Sequence, residues 1–322
     1  DPRGFLANYP KGAIFDEVQR APELFSYLQQ VLDESTEKGV FILTGSNNFL
    51  LQESISQSLA GRIAYLTLLP LSLTEIGGLE SDINQLIFKG GYPVLYAEKA
   101  DPSKWFLNYI STYVERDVRQ LKNIVSLTTF ERFIRLCAGR TGQLLNMNSL
   151  ALETGVDQKT VAAWLSVLET SFILFRLQPY YKNYNKRVVK MPKLYFYDTG
   201  LAAALLGIDN AAMLEMHPFR GSLFENLAVT EFLKQRLNAG LSNNIYFWRD
   251  STGNEIDLLI DRKPELLPIE IKSGKTVTSD YFKGLNFWNK LTGNKGGMVV
   301  YGGDMQQTRS DGITVVPLKD LR

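Results

Sequence analysis

Only one cysteine, Cys137, occurs in the 322 residues. That excludes intramolecular disulfides and thiolate-zinc sites, and is compatible with a reducing, cytoplasmic setting. Histidine is equally scarce. His217 is the only one, which removes most His-dependent hydrolases, zincins and His-metal nucleases. Any metal must then be held by carboxylates and carbonyls, so magnesium or manganese is the expected ion. No apolar run approaches a membrane span and no secretory signal opens the chain, so no membrane role is expected. Net charge is only +1, so nucleic-acid binding would have to come from a local patch. No initiator methionine precedes Asp1, and the chain opens in mid-pattern, as a fragment is expected to.

The motif G-x-x-x-x-G-K-[ST], whose loop of backbone N–H groups surrounds phosphate, is also missing. Gly274-Lys275-Thr276 imitates its end, but Ile269 stands where the first glycine belongs, and the preceding residues read as strand.

What is present is α/β in character, with 45% hydrophobic and 21% charged residues, and a length that suggests two or three domains. Near the start, an apolar strand at Ala13–Phe15 runs into Asp16-Glu17. A helix with Leu24, Leu28, Val31 and Leu32 follows, then a buried strand in "GVFILTGSNN". "SISQSLAGRIAYLTLLPLSLTEI" reads as a helix, then Arg62, then a third strand. Polar residues at the C-terminal ends of parallel strands are how open α/β sheets build ligand sites. Taken alone, Asp16-Glu17 is an ordinary helix-capping pair.

In the middle, Trp105, Leu107, Ile110, Tyr113, Val114 and Val118 mark an apolar helical face. From Leu127 three short helices are expected: "TTFERFIRLCAGRTG", "NMNSLALETGV" and "DQKTVAAWLSVLETS". The last is capped by Asp157 and buries Val161, Trp164, Leu165 and Leu168. The glycine turn before it suggests a helix-turn-helix presenting Gln158 and Lys159. Between Arg176 and Lys193 there are six cations, Arg176, Lys182, Lys186, Arg187, Lys190 and Lys193, and no acid. Tyr180, Tyr181 and Tyr184 are interleaved with them. Cations neutralise phosphates while tyrosines stack on bases, so DNA contact is expected of Lys159, Lys182, Lys186, Arg187 and Lys190. A solubilising hairpin tip, or one that touches the N-terminal part of the chain, competes with that expectation.

Towards the end, a helix carrying Glu225 precedes three strands, "NNIYFWRD", "NEIDLLID" and "LPIEIKSG", then a helix and the strand "GGMVVYGG". Glu255 and Asp257 lie two apart on one strand, and Glu270 and Lys272 two apart on the next, so each pair shares a face. Asp257 and Glu270 are thirteen positions apart, right for adjacent antiparallel strands joined by "DRKPEL". Asp257, Glu270 and the Ile271 carbonyl suit magnesium at about 2.0–2.1 Å. Lys272 would orient water or stabilise developing charge, and Glu225 would add a ligand. Glu-x-Lys alone is common enough to mean nothing; the order of elements gives it weight.

Taken together, "FDEVQ", "LTGSN", "SLAGR", "YVERDV", "MPKLYFYDTGL", "LFEN", "WRD", "NEIDLLI" and "IEIKSG" resemble the predicted prokaryotic AAA-type P-loop ATPases with a C-terminal domain of unknown function, DUF4143. The resemblance implies a partial parallel-sheet ATPase core at 1–76 and a helical connector at 77–126. It further implies a winged helix with a basic hairpin at 127–197 and a PD-(D/E)XK nuclease-like α-β-β-β-α-β domain at 198–322. It assigns Asp16 to a magnesium shell, Glu17 to polarising the attacking water and Asn47 to sensing the γ-phosphate, with Arg62 as an arginine finger or sensor. ATP is expected in the intact protein, whose phosphate-binding segment would precede Asp1, and so is a homo-oligomer. A metal-dependent nuclease coupled to ATP is the leading expectation. A non-catalytic nuclease-like scaffold and a nucleotide-gated adaptor for a protein partner are the alternatives.

Overall fold

The computed structural model describes residues 1–35, 37–45, 59–78, 82–113, 126–181 and 188–321. The chain divides into two units, Asp1–Leu66 with Ser166–Phe172, and Thr67–Leu165 with Ile173–Arg322.

In the first unit, helix α1 (Pro2–Ala7) is capped by the Asp1 carboxylate and leads to strand β1 (Ala13–Phe15). Helix α2 (Leu24–Glu34) and strand β2 (Phe41–Leu43) follow. The strands pair in parallel, Ala13 opposite Phe41 and Phe15 opposite Leu43. Gly12 makes the close approach possible: at φ +93° it passes the Val40 carbonyl, where a Cβ would lie 1.9 Å away. Leu24 and Leu28 of α2 join Leu6, Val18, Phe25 and Leu59 in the core, with Val31 and Leu32 packed against it. The expected third strand does not form. Among the described residues nothing pairs with 63–69, and Tyr65, Leu66 and Leu68 are exposed. The helix expected before them falls largely outside the described residues.

The second unit begins with α3 (Leu73–Ile76), closed by a capping box between Ser72 and Glu75. Helices α4 (Ile83–Lys89), α5 (Pro93–Ala97) and α6 (Pro102–Tyr113) follow. On α6 the buried residues are Phe106 and Ile110, while Leu107 is 56% exposed. The expected stripe is met at Ile110, but Phe106 and not Leu107 takes the inward position beside it, and Trp105 stacks on Tyr109 at 5.2 Å. Val114 and Val118 lie outside the described residues.

Three helices and a two-stranded sheet come next: α7 (Leu127–Ala138), α8 (Met147–Thr154), α9 (Gln158–Thr170), β3 (Leu174–Leu177) and β4 (Lys193–Phe196). Gly155, in the left-handed region at φ +79°, ends α8, and Asp157 accepts from Thr160 N at 2.9 Å to cap α9. Val161, Trp164, Leu165 and Leu168 are all buried, with Trp164 edge-on to Phe130 and Phe133.

After α10 (Thr199–Leu205), the long α11 (Arg220–Asn238) leads into β5 (Ile245–Arg249), β6 (Glu255–Asp261) and β7 (Leu266–Lys272). Then come α12 (Lys283–Thr292), β8 (Gly297–Tyr301), β9 (Gln307–Thr308) and β10 (Ile313–Pro317). The sheet order is β5-β6-β7-β8-β10-β9. Neighbours β5/β6 and β6/β7 are antiparallel, while β7/β8 and β8/β10 are parallel. Trp248, Ile256, Leu285, Trp288, Val299 and Val315 are among the residues of its core. The last two strands have no counterpart in the sequence expectation, which stops at β8. Family motifs explain themselves here as joints. Asp250 of "WRD" accepts from Thr252 and Asn254 to close the β5–β6 turn, and Asn226 of "LFEN" bonds both backbone groups of Phe196.

Candidate functional site

The antiparallel register of β6 and β7 sets Leu258 opposite Ile269, which leaves Asp257 beside Glu270 at the head of the ladder. Because alternate residues share a face, Ile269 and Ile271 go into the core while Glu270 and Lys272 meet Asp257. Lys272 Nζ donates to Glu270 Oε2 at 2.7 Å and to Asp257 Oδ2 at 3.3 Å. The Ile271 N–H donates to the same Asp257 oxygen at 2.8 Å. The expected trio is thus assembled.

Its charges are unequal. Burial pushes the Glu270 carboxyl up to about 8, the neighbouring Asp257 adds to this, and Lys272 only partly offsets them. Burial also acts against an ionised Asp257, but Lys272, Lys193 and the Ile271 N–H outweigh it and hold Asp257 below the usual carboxylate range. Lys272 is raised: its two carboxylates overcome a desolvation that alone would lower it. One carboxyl therefore carries a proton near neutrality while its partner is ionised.

Glu225 is brought close to Asp257 by α11, near enough that the two raise each other's cost of ionisation, yet its bonds go elsewhere. Its Oε1 accepts from Lys193 Nζ at 3.0 Å and from the Tyr195 hydroxyl at 2.6 Å. Lys193 Nζ also pairs with Glu255 Oε1, and Arg249 holds Glu255 Oε2 at 2.9 Å.

Among the described residues no group of three or more His, Cys, Asp or Glu side chains is placed to hold a metal ion. Magnesium does not need such a cage, because it is usually held by one or two carboxylates plus water and substrate phosphates. Asp257, Glu270 and the Ile271 carbonyl fit that donor set in kind, with Lys272 as the cation that holds the two carboxylates.

In the first unit, β1 delivers Asp16 and Glu17, and β2 delivers Thr44. The Thr44 hydroxyl donates to Asp16 Oδ1 and accepts from Glu17 N at 3.3 Å, so the acidic pair meets the neighbouring strand end. Glu17 sits at φ +52°, a left-handed conformation unusual for a side chain of its size. Arg62 is engaged within the chain, where Asp33 accepts from its Nε at 2.5 Å and Nη2 at 3.1 Å. Asn47 lies outside the described residues.

Of the expected nucleic-acid contacts, Lys159 is exposed at the start of α9 and Lys190 is exposed beyond the hairpin tip. Lys182, Lys186 and Arg187 lie outside the described residues, as does Tyr184. Two other residues of the basic, tyrosine-bearing run turn inward. Tyr180 packs edge-on against Tyr246 at 5.5 Å, and Lys193 is buried. The cause is that the hairpin arms lean on β5: Tyr180 N donates to Phe247 O at 2.7 Å and Val189 N to Arg249 O at 2.9 Å.

Comparison with protein families gives an AAA domain over residues 2–77, a domain of unknown function (DUF8612) over 80–212, and a domain of unknown function (DUF4143) over 220–321. The chain therefore carries a match to an AAA domain at one end and to DUF4143 at the other. Curated relatives include uncharacterized proteins of Mycobacterium bovis and Mycobacterium tuberculosis. Each is 32% identical over 279 residues, covering 86% of this chain and 62% of the relative. An uncharacterized Haemophilus influenzae protein is 22% identical over 299 residues, 87% of this chain and 70% of that protein. The chain thus spans about three fifths of the length of the mycobacterial relatives. No solved structure matches it. No helix among the described residues is long and apolar enough to cross a membrane.

Within this AAA–DUF4143 chain, the site residues that sequence reasoning missed are Lys193 and Tyr195. They come from β4, inside the DUF8612 match, and reach Glu225 of the DUF4143 region. Their signal was in "KLYF": a lysine and a tyrosine alternate in a strand otherwise apolar, and a lysine there has to find carboxylates.

Proposed function

We propose that the DUF4143 region is a magnesium-dependent phosphodiester-hydrolysing module acting on DNA, in a protein whose AAA domain binds and hydrolyses ATP when complete. The observation that carries the reading is the convergence of Asp257, Glu270 and Lys272 across β6 and β7, in the element order α-β-β-β-α-β of a PD-(D/E)XK core. Asp257, Glu270 and the Ile271 carbonyl would hold the ion, which when bound stabilises charge on phosphate oxygens and acidifies water. Lys272, freed from Glu270, faces the reacting phosphate and stabilises developing negative charge. To hold the ion Glu270 would have to be ionised, so binding would strengthen as pH rises towards 8.

The α7–α9 helices with β3 and β4 follow winged-helix order, which supports DNA as the partner, with Lys159 and Lys190 at its exposed surface. In the AAA domain, Asp16 and Glu17 beside Thr44 support a magnesium and water-polarising role, and a homo-oligomer would place an arginine at a neighbour's nucleotide. The test is cleavage of supercoiled, branched and single-stranded DNA by the chain in magnesium or manganese. Cleavage that Asp257→Ala, Glu270→Ala and Lys272→Ala each abolish, with folding retained, is expected. Absence of cleavage on every substrate, with no ion bound, would leave the second reading, a non-catalytic scaffold for DNA or a protein partner. That reading is favoured by one observation: Lys272 and Lys193 already neutralise the carboxylates.

A further inference from the structure

Four carboxylates, Glu225, Glu255, Asp257 and Glu270, are gathered at this site, and two lysines divide them. Lys272 serves Asp257 and Glu270, and Lys193 serves Glu225 and Glu255. The two lysines are not equivalent. The Lys272 side chain is 33% exposed, whereas that of Lys193 is 4% exposed and lies over the Phe247 ring at 5.6 Å. A partly exposed ammonium can swing into water and leave its carboxylates to another cation. A sealed one has no such exit, and expelling it strips Glu225 of its cation and leaves Glu255 to Arg249 alone, a large penalty.

The Glu225 half is closed in a second way. Its Oε1 takes both the Lys193 ammonium and the Tyr195 hydroxyl, delivered by alternate residues of one strand. Glu255 is held on both oxygens, by Lys193 and by Arg249. A metal ion there would have to displace donors fixed by the β3–β4 pairing, where Lys193 sits opposite Leu177.

Building on the proposed metal-dependent reading, we propose that Lys193 is a built-in cation, a positioning residue that occupies the second cation position. The module then takes a single divalent ion, at Asp257 and Glu270, and Glu225 is a partner of Lys193 instead of a metal ligand. The site is also composite, because its fixed cation comes from outside the DUF4143 region.

The experiment is calorimetric titration of manganese into the full chain, counting only ions whose binding depends on the named carboxylates. Wild type is expected to bind one ion that Asp257→Asn removes. Glu225→Gln should keep that ion's affinity within about threefold, since one or two carboxylates suffice for such an ion. Lys193→Met should add a second ion, and Lys193→Met with Glu225→Gln should lose it again. A tenfold or greater loss in Glu225→Gln, or an unchanged ion count in a folded Lys193→Met, overturns the proposal. Should Lys193→Met fail to fold, the Glu225→Gln result alone decides. If wild type binds no Asp257-dependent ion but Lys193→Met gains a Glu225-dependent one, the role of Lys193 stands and the hydrolytic reading falls. If neither binds, both fall.

Discussion

Replacing Lys234 with methionine probes a buried cation of the second unit. Lys234 lies on α11, nine residues beyond Glu225, where the helix bonds the backbone that opens α3. Its Nζ donates to Leu71 O at 2.9 Å, and burial lowers its pKa against the pull of Asp198, Glu231 and Glu75. Glu231, one turn earlier, accepts from Leu73 N at 3.0 Å, and Asp198 accepts from Gly91 N at 2.7 Å. Methionine keeps the stem and removes only the ammonium. What remains is a buried carbonyl without its donor and two buried carboxylates without their cation. An orphaned buried carbonyl costs about 1–3 kcal/mol, and losing the ammonium's pull on the two carboxylates adds to it, so a loss of about 2–3 kcal/mol is expected. For a unit of this size that corresponds to roughly 4–12 °C in the melting of the second unit. Followed by thermal and urea melts, Lys234→Met with Glu231→Gln should lose less than the sum of the single variants, because each removes the other's reason to be charged. A Lys234→Met loss under about 0.5 kcal/mol, as for an ordinary surface change, or strict additivity, would refute this account of the cluster.

Glu270→Gln should flatten the pH dependence of stability in the ion-free protein. The folded state holds the Glu270 proton up to about pH 8, while the unfolded chain releases it in the ordinary carboxylate range. Wild type therefore loses stability relative to Glu270→Gln as pH rises through that window, by at most about 1.4 kcal/mol per unit; equal slopes would contradict it. Gly284→Ala places a Cβ 1.8 Å from Glu270 Oε1 and 2.8 Å from the Glu255 carbonyl oxygen. It should cost about 1–3 kcal/mol and weaken manganese binding, read by melting and calorimetry. Cys137 is fully buried, and burial pushes its thiol well above the usual range, so native protein should resist thiol reagents that label the urea-unfolded chain at once.

The C-terminal region was the most legible in the sequence, because period-two alternation in "NEIDLLID" and "LPIEIKSG" fixes both strand identity and which side chains share a face. Asp257, Glu270 and Lys272 follow from that together with the order of the elements. The last two strands were not, since Gln307–Thr308 is too short to show a period. On α6 the inward position went to Leu107 instead of Phe106 because the two are similarly apolar neighbours, so hydrophobicity does not choose between them. The third strand of the first unit failed because apolar sequence specifies burial, not a partner, and residues 63–69 have none among the described residues. Lys193 was placed with the hairpin's exposed cations because a charge run carries no information about which member turns inward. That choice is made by Glu225 and Glu255, 32 and 62 residues away.

The most direct measurement is an anomalous difference map from crystals of the chain soaked in manganese with a nucleoside monophosphate. The account predicts one peak in the DUF4143 region, within about 2.0–2.3 Å of Asp257 and Glu270 oxygens, with Lys272 swung away from Glu270 and Lys193 still on Glu225. No peak there, with Lys272 still bridging Asp257 and Glu270, would contradict a metal-dependent hydrolytic site.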